Sequence, residues 1–125
     1  MTGLSSNGEA TVLTALLAAR FVSLHTADPG NTGASELATG AYARQAATFT
    51  QSGNNPTIAA NSGIIQYPVA TASWGTITHF GIWSAVTGGQ FLGGWVVEVP
   101  KAVGIDDSVR WNVGALKIGT DEIIP

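Results

Sequence analysis

The chain has no cysteine among its 125 residues. That excludes a disulfide framework, a thiol nucleophile and cysteine metal sites. Charge is nearly as scarce: Asp, Glu, Lys and Arg make up 10% of the residues and leave a net charge of -3, against roughly 25% charged residues in an average soluble protein. No basic face is offered to the phosphates of a nucleic acid. No apolar run reaches the ~18 residues of a membrane span. The opening MTGLSSNGEA has no basic stretch and does not read as a secretory leader. The two histidines, His25 and His79, have no His-x-x-x-His or His-x-Glu partner of the kind that builds a zinc site. The 16 glycines include no Gly-x-Gly-x-x-Gly at a strand-to-helix junction and no Gly-Lys-Thr or Gly-Lys-Ser, so no phosphate loop is expected.

What is present is apolar bulk. Hydrophobic residues make up 45% of the chain and include four Trp and four Phe, enough to offset chain entropy and form a core. The length suits one domain spanning residues 1–125. A helix is expected at about 6–19. Ser6 and Glu9 have the spacing of a capping box, and Val12, Leu13, Leu16 and Leu17 recur on one face. A β body is expected at about 21–118, opened by the turn signal Thr26-Ala27-Asp28-Pro29-Gly30. Strands are expected over Tyr42–Thr50, Thr57–Ala60 and Ile64–Tyr67, and later over Lys101–Ile105, Ser108–Val113 and Ala115–Ile118. The strongest signal is a hairpin of Thr76–Ser84 and Gln90–Val99 around Thr87-Gly88-Gly89. Both of its faces carry large apolar groups, as in a strand covered on two sides, and Phe80, Ile82, Trp83, Phe91, Trp95 and Val97 are the expected core. The fold class is therefore mainly β: a single-domain β-sandwich or jelly-roll-like barrel of about seven short strands with one N-terminal α-helix.

The chemistry on offer is thin. Ser23, His25 and Asp28 assemble a Ser/His/Asp set on paper, and Ser23 and His25 share one face of a strand. No nucleophile elbow accompanies them, and Asp28 in a Pro-Gly turn has an ordinary capping role. The acidic pairs Asp106-Asp107 and Asp121-Glu122 read as solvated turn residues, since no EF-hand pattern surrounds them. Trp74, Trp83, Trp95 and Trp111 suit a core or an interface better than a sugar platform. No catalytic, cofactor-binding or metal residue is expected. The interface candidates are Leu13, Leu16 and Leu17 on the helix stripe and Trp74, expected to be exposed in the Ala72-Ser73-Trp74-Gly75 loop. So few charges on so small a body suggest that much of the surface meets other subunits.

Three runs carry a family likeness: Val22-Ser23-Leu24-His25-Thr26-Ala27-Asp28-Pro29-Gly30, Gly40-Ala41-Tyr42-Ala43-Arg44-Gln45, and Ala72 to Trp83 with its Ile-Thr-His-Phe-Gly-Ile core. They resemble the LHTADPG-type family of small tailed-bacteriophage virion proteins, often labelled tail fibre protein, some of whose members look like capsid decoration proteins. The likeness covers most of residues 20–118. It implies a non-enzymatic structural subunit, located in the virion and assembled in the host cytoplasm. The first expectation is a capsid decoration (cement) protein that stabilises the head shell, seated as a homotrimer on the major capsid protein or other virion proteins. The alternative is a tail fibre or tail-tip module contacting the host surface. A carbohydrate-binding or hydrolytic domain is a third reading. Neither nucleic acid nor membrane is an expected partner.

Overall fold

A computed structural model describes residues 5–52 and 58–119. Helix α1 (Ser6–Leu16) starts from Ser5, whose side chain accepts a hydrogen bond from Gly8 N at 3.2 Å. The cap is thus Ser5, one residue before the expected Ser6. The helix also ends at Leu16 instead of running on to Ala19. Ala19 turns the chain with φ 51, and Arg20 closes the open carbonyl end, donating from Nε to Leu16 O at 2.7 Å and from Nη2 to Ala15 O at 3.1 Å. A cation at a helix C-terminus suits both its orphan carbonyls and its dipole.

Nine strands follow among the described residues: β1 (Arg20–His25), β2 (Gln45–Ala47), β3 (Phe49–Ser52), β4 (Ile58–Asn61), β5 (Ile65–Gln66), β6 (Gly75–Trp83), β7 (Phe91–Val103), β8 (Arg110–Trp111) and β9 (Lys117–Gly119). They form three antiparallel sheets, a central one in the order β2-β1-β6-β7, a second in the order β3-β4-β9, and the pair β5-β8. The fold is mainly β with one N-terminal helix, as expected, but it has more strands than the seven anticipated.

The differences have local causes. The single strand expected over Tyr42–Thr50 breaks at Thr48, so β2 joins the central sheet and β3 joins the second. Ser62 N donates to Thr48 O at 2.9 Å and the two side-chain hydroxyls meet at 2.7 Å, fixing that corner. The expected separate strand at Lys101 is instead the end of β7, which runs through Pro100. Pro is tolerated there because β7 is an edge strand. The register slips between Ile77↔Lys101 and His79↔Val96, so residues 97–100 bulge out opposite Thr78. The strand expected over Ser108–Val113 shortens to Arg110–Trp111, and the last begins at Lys117. Thr57 and the turn residues 53–56 lie outside the described residues, as does the pair Asp121-Glu122.

β1 and β6 sit at the centre of the large sheet and set two faces by alternation. On the core face Leu24 pairs with Phe80 and Phe80 with Trp95, while Val22 pairs with Ile82. Leu24, Ile82 and Val22 are fully buried and Phe80 is 1% exposed. Its ring stacks on Trp95 at 5.7 Å. Leu13 and Leu17 of the helix region join the same core as Ile65, Tyr67, Leu116 and Ile118 from the other sheets. Of the expected core, Phe80, Ile82, Trp83, Trp95 and Val97 are buried and Phe91 is half-buried. Truncating Phe80 to Ala is expected to cost about 3–5 kcal/mol, because the space between Leu24 and Trp95 cannot collapse without moving both strands. Urea unfolding followed by tryptophan fluorescence measures it.

Candidate functional site

The opposite face of the central sheet carries the polar residues. Here the cross-strand rows are Phe21–Trp83–Phe91, Ser23–Gly81–Gly94 and His25–His79–Val96. The middle row is made of small residues, and the segment from residue 26 to residue 44 folds down onto it. A Cβ on Gly81 would meet Ser23 Oγ at 2.5 Å and His25 Nε2 at 2.8 Å, and one on Gly94 would run into the Pro29 ring. These two glycines allow the covering segment to reach the sheet.

Beneath the segment lies a buried hydrogen-bonded chain. His25 Nδ1 is 2.8 Å from Ala34 O. A carbonyl only accepts, so Nδ1 carries the proton and Nε2 of the neutral ring accepts. Ser23 Oγ, 2.6 Å away, therefore donates to Nε2, and the Trp83 indole N–H donates to Ser23 Oγ at 2.9 Å. Ser23 and His25 are both fully buried. Burial pushes the His25 ring below the usual histidine range. The bond to Ala34 and the charge of Glu36 oppose that shift, while His79 and Arg44 reinforce it.

Two of the three residues of the paper triad thus meet, and the third does not. Asp28 Oδ1 accepts from Gly30 N at 2.9 Å, the turn-capping role expected of it. The group orienting His25 is a main-chain carbonyl with no negative charge to stabilise an imidazolium. A serine without solvent contact has no route to a substrate. His79 is half-buried, with Nδ1 2.8 Å from Thr78 Oγ1. No group of three or more His, Asp or Glu that could hold a metal gathers among the described residues.

The covering segment is tied down by Arg44. Its Nε and Nη2 donate to Glu36 Oε2 at 2.8 Å and Oε1 at 2.9 Å, while Nη1 reaches Ala85 O at 3.0 Å and Gly88 O at 2.8 Å. The guanidinium lies 3.7 Å from the centre of a Trp83 ring. Tyr42 donates its hydroxyl to Glu36 Oε2 at 2.7 Å and accepts from Leu24 N at 3.1 Å. Burial draws the Glu36 carboxyl upward, but the bonds from Arg44 and Tyr42 and the Arg44 charge outweigh it and hold Glu36 below its ordinary range. For Tyr42, burial and then the bond to Glu36 hold the hydroxyl protonated well beyond the usual tyrosine range. Arg44, Glu36 and Tyr42 were not among the expected site residues. The signal was in the charge spacing: Arg44 is the only Lys or Arg between residues 21 and 100, and Glu36 the only acid between 29 and 97.

The interface candidates fare differently. Trp74 is 3% exposed, contrary to the expected surface position. Its indole N–H donates to Gly40 O at 3.0 Å and its ring meets Tyr42 edge-on, so a Trp in a short loop is drawn in by a carbonyl partner and an aromatic wall. Leu13 and Leu17 are buried in the domain's own core, and Leu16 is half-buried against it. The surface instead exposes β-branched aliphatics: Ile64, Val69, Val96, Val99, Ile105 and Val113 are each more than half exposed. A groove of about 270 Å³ runs beside Ile64, walled by Phe21, Ala46, Ala47 and Ile65. No helix among the described residues is long and apolar enough to cross a membrane.

The family described as podophage GP4 fiber I protein gp80 matches residues 8–119 of this chain, which includes both the covering segment and the central sheet. No curated protein matches it.

Removing the tether tests the account of this face. Arg44→Ala leaves Glu36 largely buried without its partner and is expected to cost about 3 kcal/mol. Gly81→Ala, which drives a methyl into Ser23 and His25, is expected to cost about 1–3 kcal/mol. The pH dependence follows from Glu36. Its folded pKa is lowered from 4.5, so the unfolded chain takes up the proton first as pH falls. The pair's contribution is full above that ordinary value and is lost below it. Thermal melts of the natural chain should fall through this acid window, and Glu36→Gln should flatten that part of the profile.

Proposed function

The chain belongs to the podophage GP4 fiber I protein gp80 family, and from that membership we propose that it is a structural subunit of a podophage tail fibre. The observation that carries this reading is the family match across residues 8–119. It favours the tail-fibre role, ranked second on sequence grounds, over capsid decoration. The chain works by holding and being held, not by turning over a substrate. The Ser23–His25 pair is sealed under the covering segment, and Trp74, Trp83 and Trp95 are buried, which leaves none of the three as a platform for sugar stacking.

Its partners are other virion proteins, further copies of itself included, with a homotrimer the preferred assembly. Of the four residues first considered for contact, Leu13, Leu17 and Trp74 have little surface to give. Exposed Val and Ile side chains on β7 and on the turns near residues 64–69 and 105–113 take their place. Such contacts depend on shape and apolar area, and the charges beside them, Glu98, Lys101, Asp106, Asp107 and Arg110, are exposed and water-screened.

Two measurements test the proposal. Antibody labelling or imaging of intact particles should find the protein in a few copies at the tail; a regular lattice over the head would restore the decoration reading and overturn this one. Washing particles with rising salt should leave the protein in place while mild denaturant strips it. Release by moderate salt alone would mean that charge holds it, against the apolar contact argued here.

A further inference from the structure

We propose that the Ser23–His25 pair is an acid-sensitive clasp, and that protonation of the buried ring releases the 26–35 stretch from the central sheet while the sheet and the Arg44–Glu36 tether stay in place.

In the neutral arrangement every group has a partner: Nδ1–H goes to Ala34 O, the Ser23 hydroxyl to Nε2, and the Trp83 N–H to Ser23 Oγ. A proton added at Nε2 turns that nitrogen from acceptor to donor. Two N–H groups then converge on Ser23 Oγ, and the hydroxyl loses the acceptor it had. Gly81 and the Phe91 ring pack against the pair.

The surrounding charges do not rescue the cation. Glu36 is the one acid whose field favours it, but both Glu36 oxygens are committed to Arg44, and Tyr42 adds a bond to Oε2. On the other side Arg44 and His79, from the neighbouring strand β6, both oppose a positive ring. Water is the remaining ligand, and it reaches the ring only if the cover lifts. That cover is thin: Ala34 and Ser35 are exposed on its outer side, and near His25 it is held by two main-chain bonds, Thr26 N to Ser35 O at 3.2 Å and Leu37 N to Leu24 O at 3.0 Å. By contrast β6 and β7 hold a long ladder that does not involve the ring.

The sign follows from the lowered ring pKa. The closed form holds His25 neutral below its ordinary value of 6.5, so the open form takes up the proton first as pH falls and its population rises. The effect sets in below 6.5, whereas that of the Glu36 carboxyl sets in only below 4.5.

The test is hydrogen exchange on the full-length chain between about pH 7.5 and about pH 5, expressed as protection factors, with the His25 ring followed by NMR in the same samples. The expected result is a loss of about ten-fold or more in protection at Thr26 and Leu37, with the midpoint of the His25 titration, while the β6–β7 amides stay protected. Loss of both sets together, retention of both, or a midpoint unconnected to His25 would each overturn the clasp. In His25→Gln, which cannot take the proton, protection at Thr26 and Leu37 should no longer depend on pH. Should that variant fail to fold, the ring titration and exchange of the natural chain decide the matter alone.

Discussion

The Arg44 guanidinium is the constraint on which the covered face depends. A planar cation with five donors is well suited to joining pieces that no sheet hydrogen bond connects. Here it grips Glu36 with two nitrogens, holds the Ala85 and Gly88 carbonyls of the β6–β7 turn with the third, and rests on Trp83. One side chain thereby ties the covering segment, the strand that follows it and the central hairpin together. With 9% of the Arg44 side chain and 18% of the Glu36 side chain exposed, solvent screens the pair little. The geometry also meets the condition for a pair that is not merely tolerated: both carboxylate oxygens and all three guanidinium nitrogens are satisfied.

That tether works because the middle of the sheet beneath it carries only small side chains. Ser23, Gly81 and Gly94 make one cross-strand row of small groups, and Pro29 settles against Gly94. A sheet of this size would ordinarily expose one face to water. Here the second face is closed by irregular chain, and the main-chain groups of that chain need partners of their own. Part of the answer is local: Gly33 N and Ala34 N both donate to Pro29 O, and Gly30 N to Asp28. The rest is supplied by the sheet, through His25 to Ala34 O and Leu24 O to Leu37 N. A histidine on a strand otherwise lined with Val and Leu is explained by this accounting more simply than by catalysis.

Periodicity made the helix and the central hairpin legible in the sequence. Alternation over His79–Trp83 matched the two faces, with Phe80 and Ile82 in the core, but it failed at the register shift between Ile77 and His79, where Ile77 is fully buried in the core and Thr76 is exposed. What was not legible depended on partners distant in the chain. Thr48 reads as an ordinary strand residue, and only its pairing with Ser62 shows that the chain changes sheets there. Pro100 reads as a strand end, yet an edge position and a bulge let β7 pass through it. Trp74 looked like an exposed loop aromatic because nothing in its neighbourhood announces the Gly40 carbonyl that holds it inside. At the site, the Ser23–His25 contact was foreseeable from their shared face, since two residues apart on a strand is a fixed geometry. That it would be sealed was not, because the seal is made by residues 26–44 and fastened by Arg44.

The same accounting bears on how such a chain meets its partners. A protein with few charges has used several of them internally: Arg44 and Glu36 under the cover, Arg20 on the helix end. The outer surface therefore carries fewer charges than the composition alone implies, and its large exposed apolar residues are β-branched side chains on strands and turns. Such a surface has little long-range field to steer a partner and gains nothing from low salt. Its side chains lose little rotamer freedom on being covered, since Val and Ile are already restricted at χ1. Those properties suit contacts made once, during assembly, and then kept.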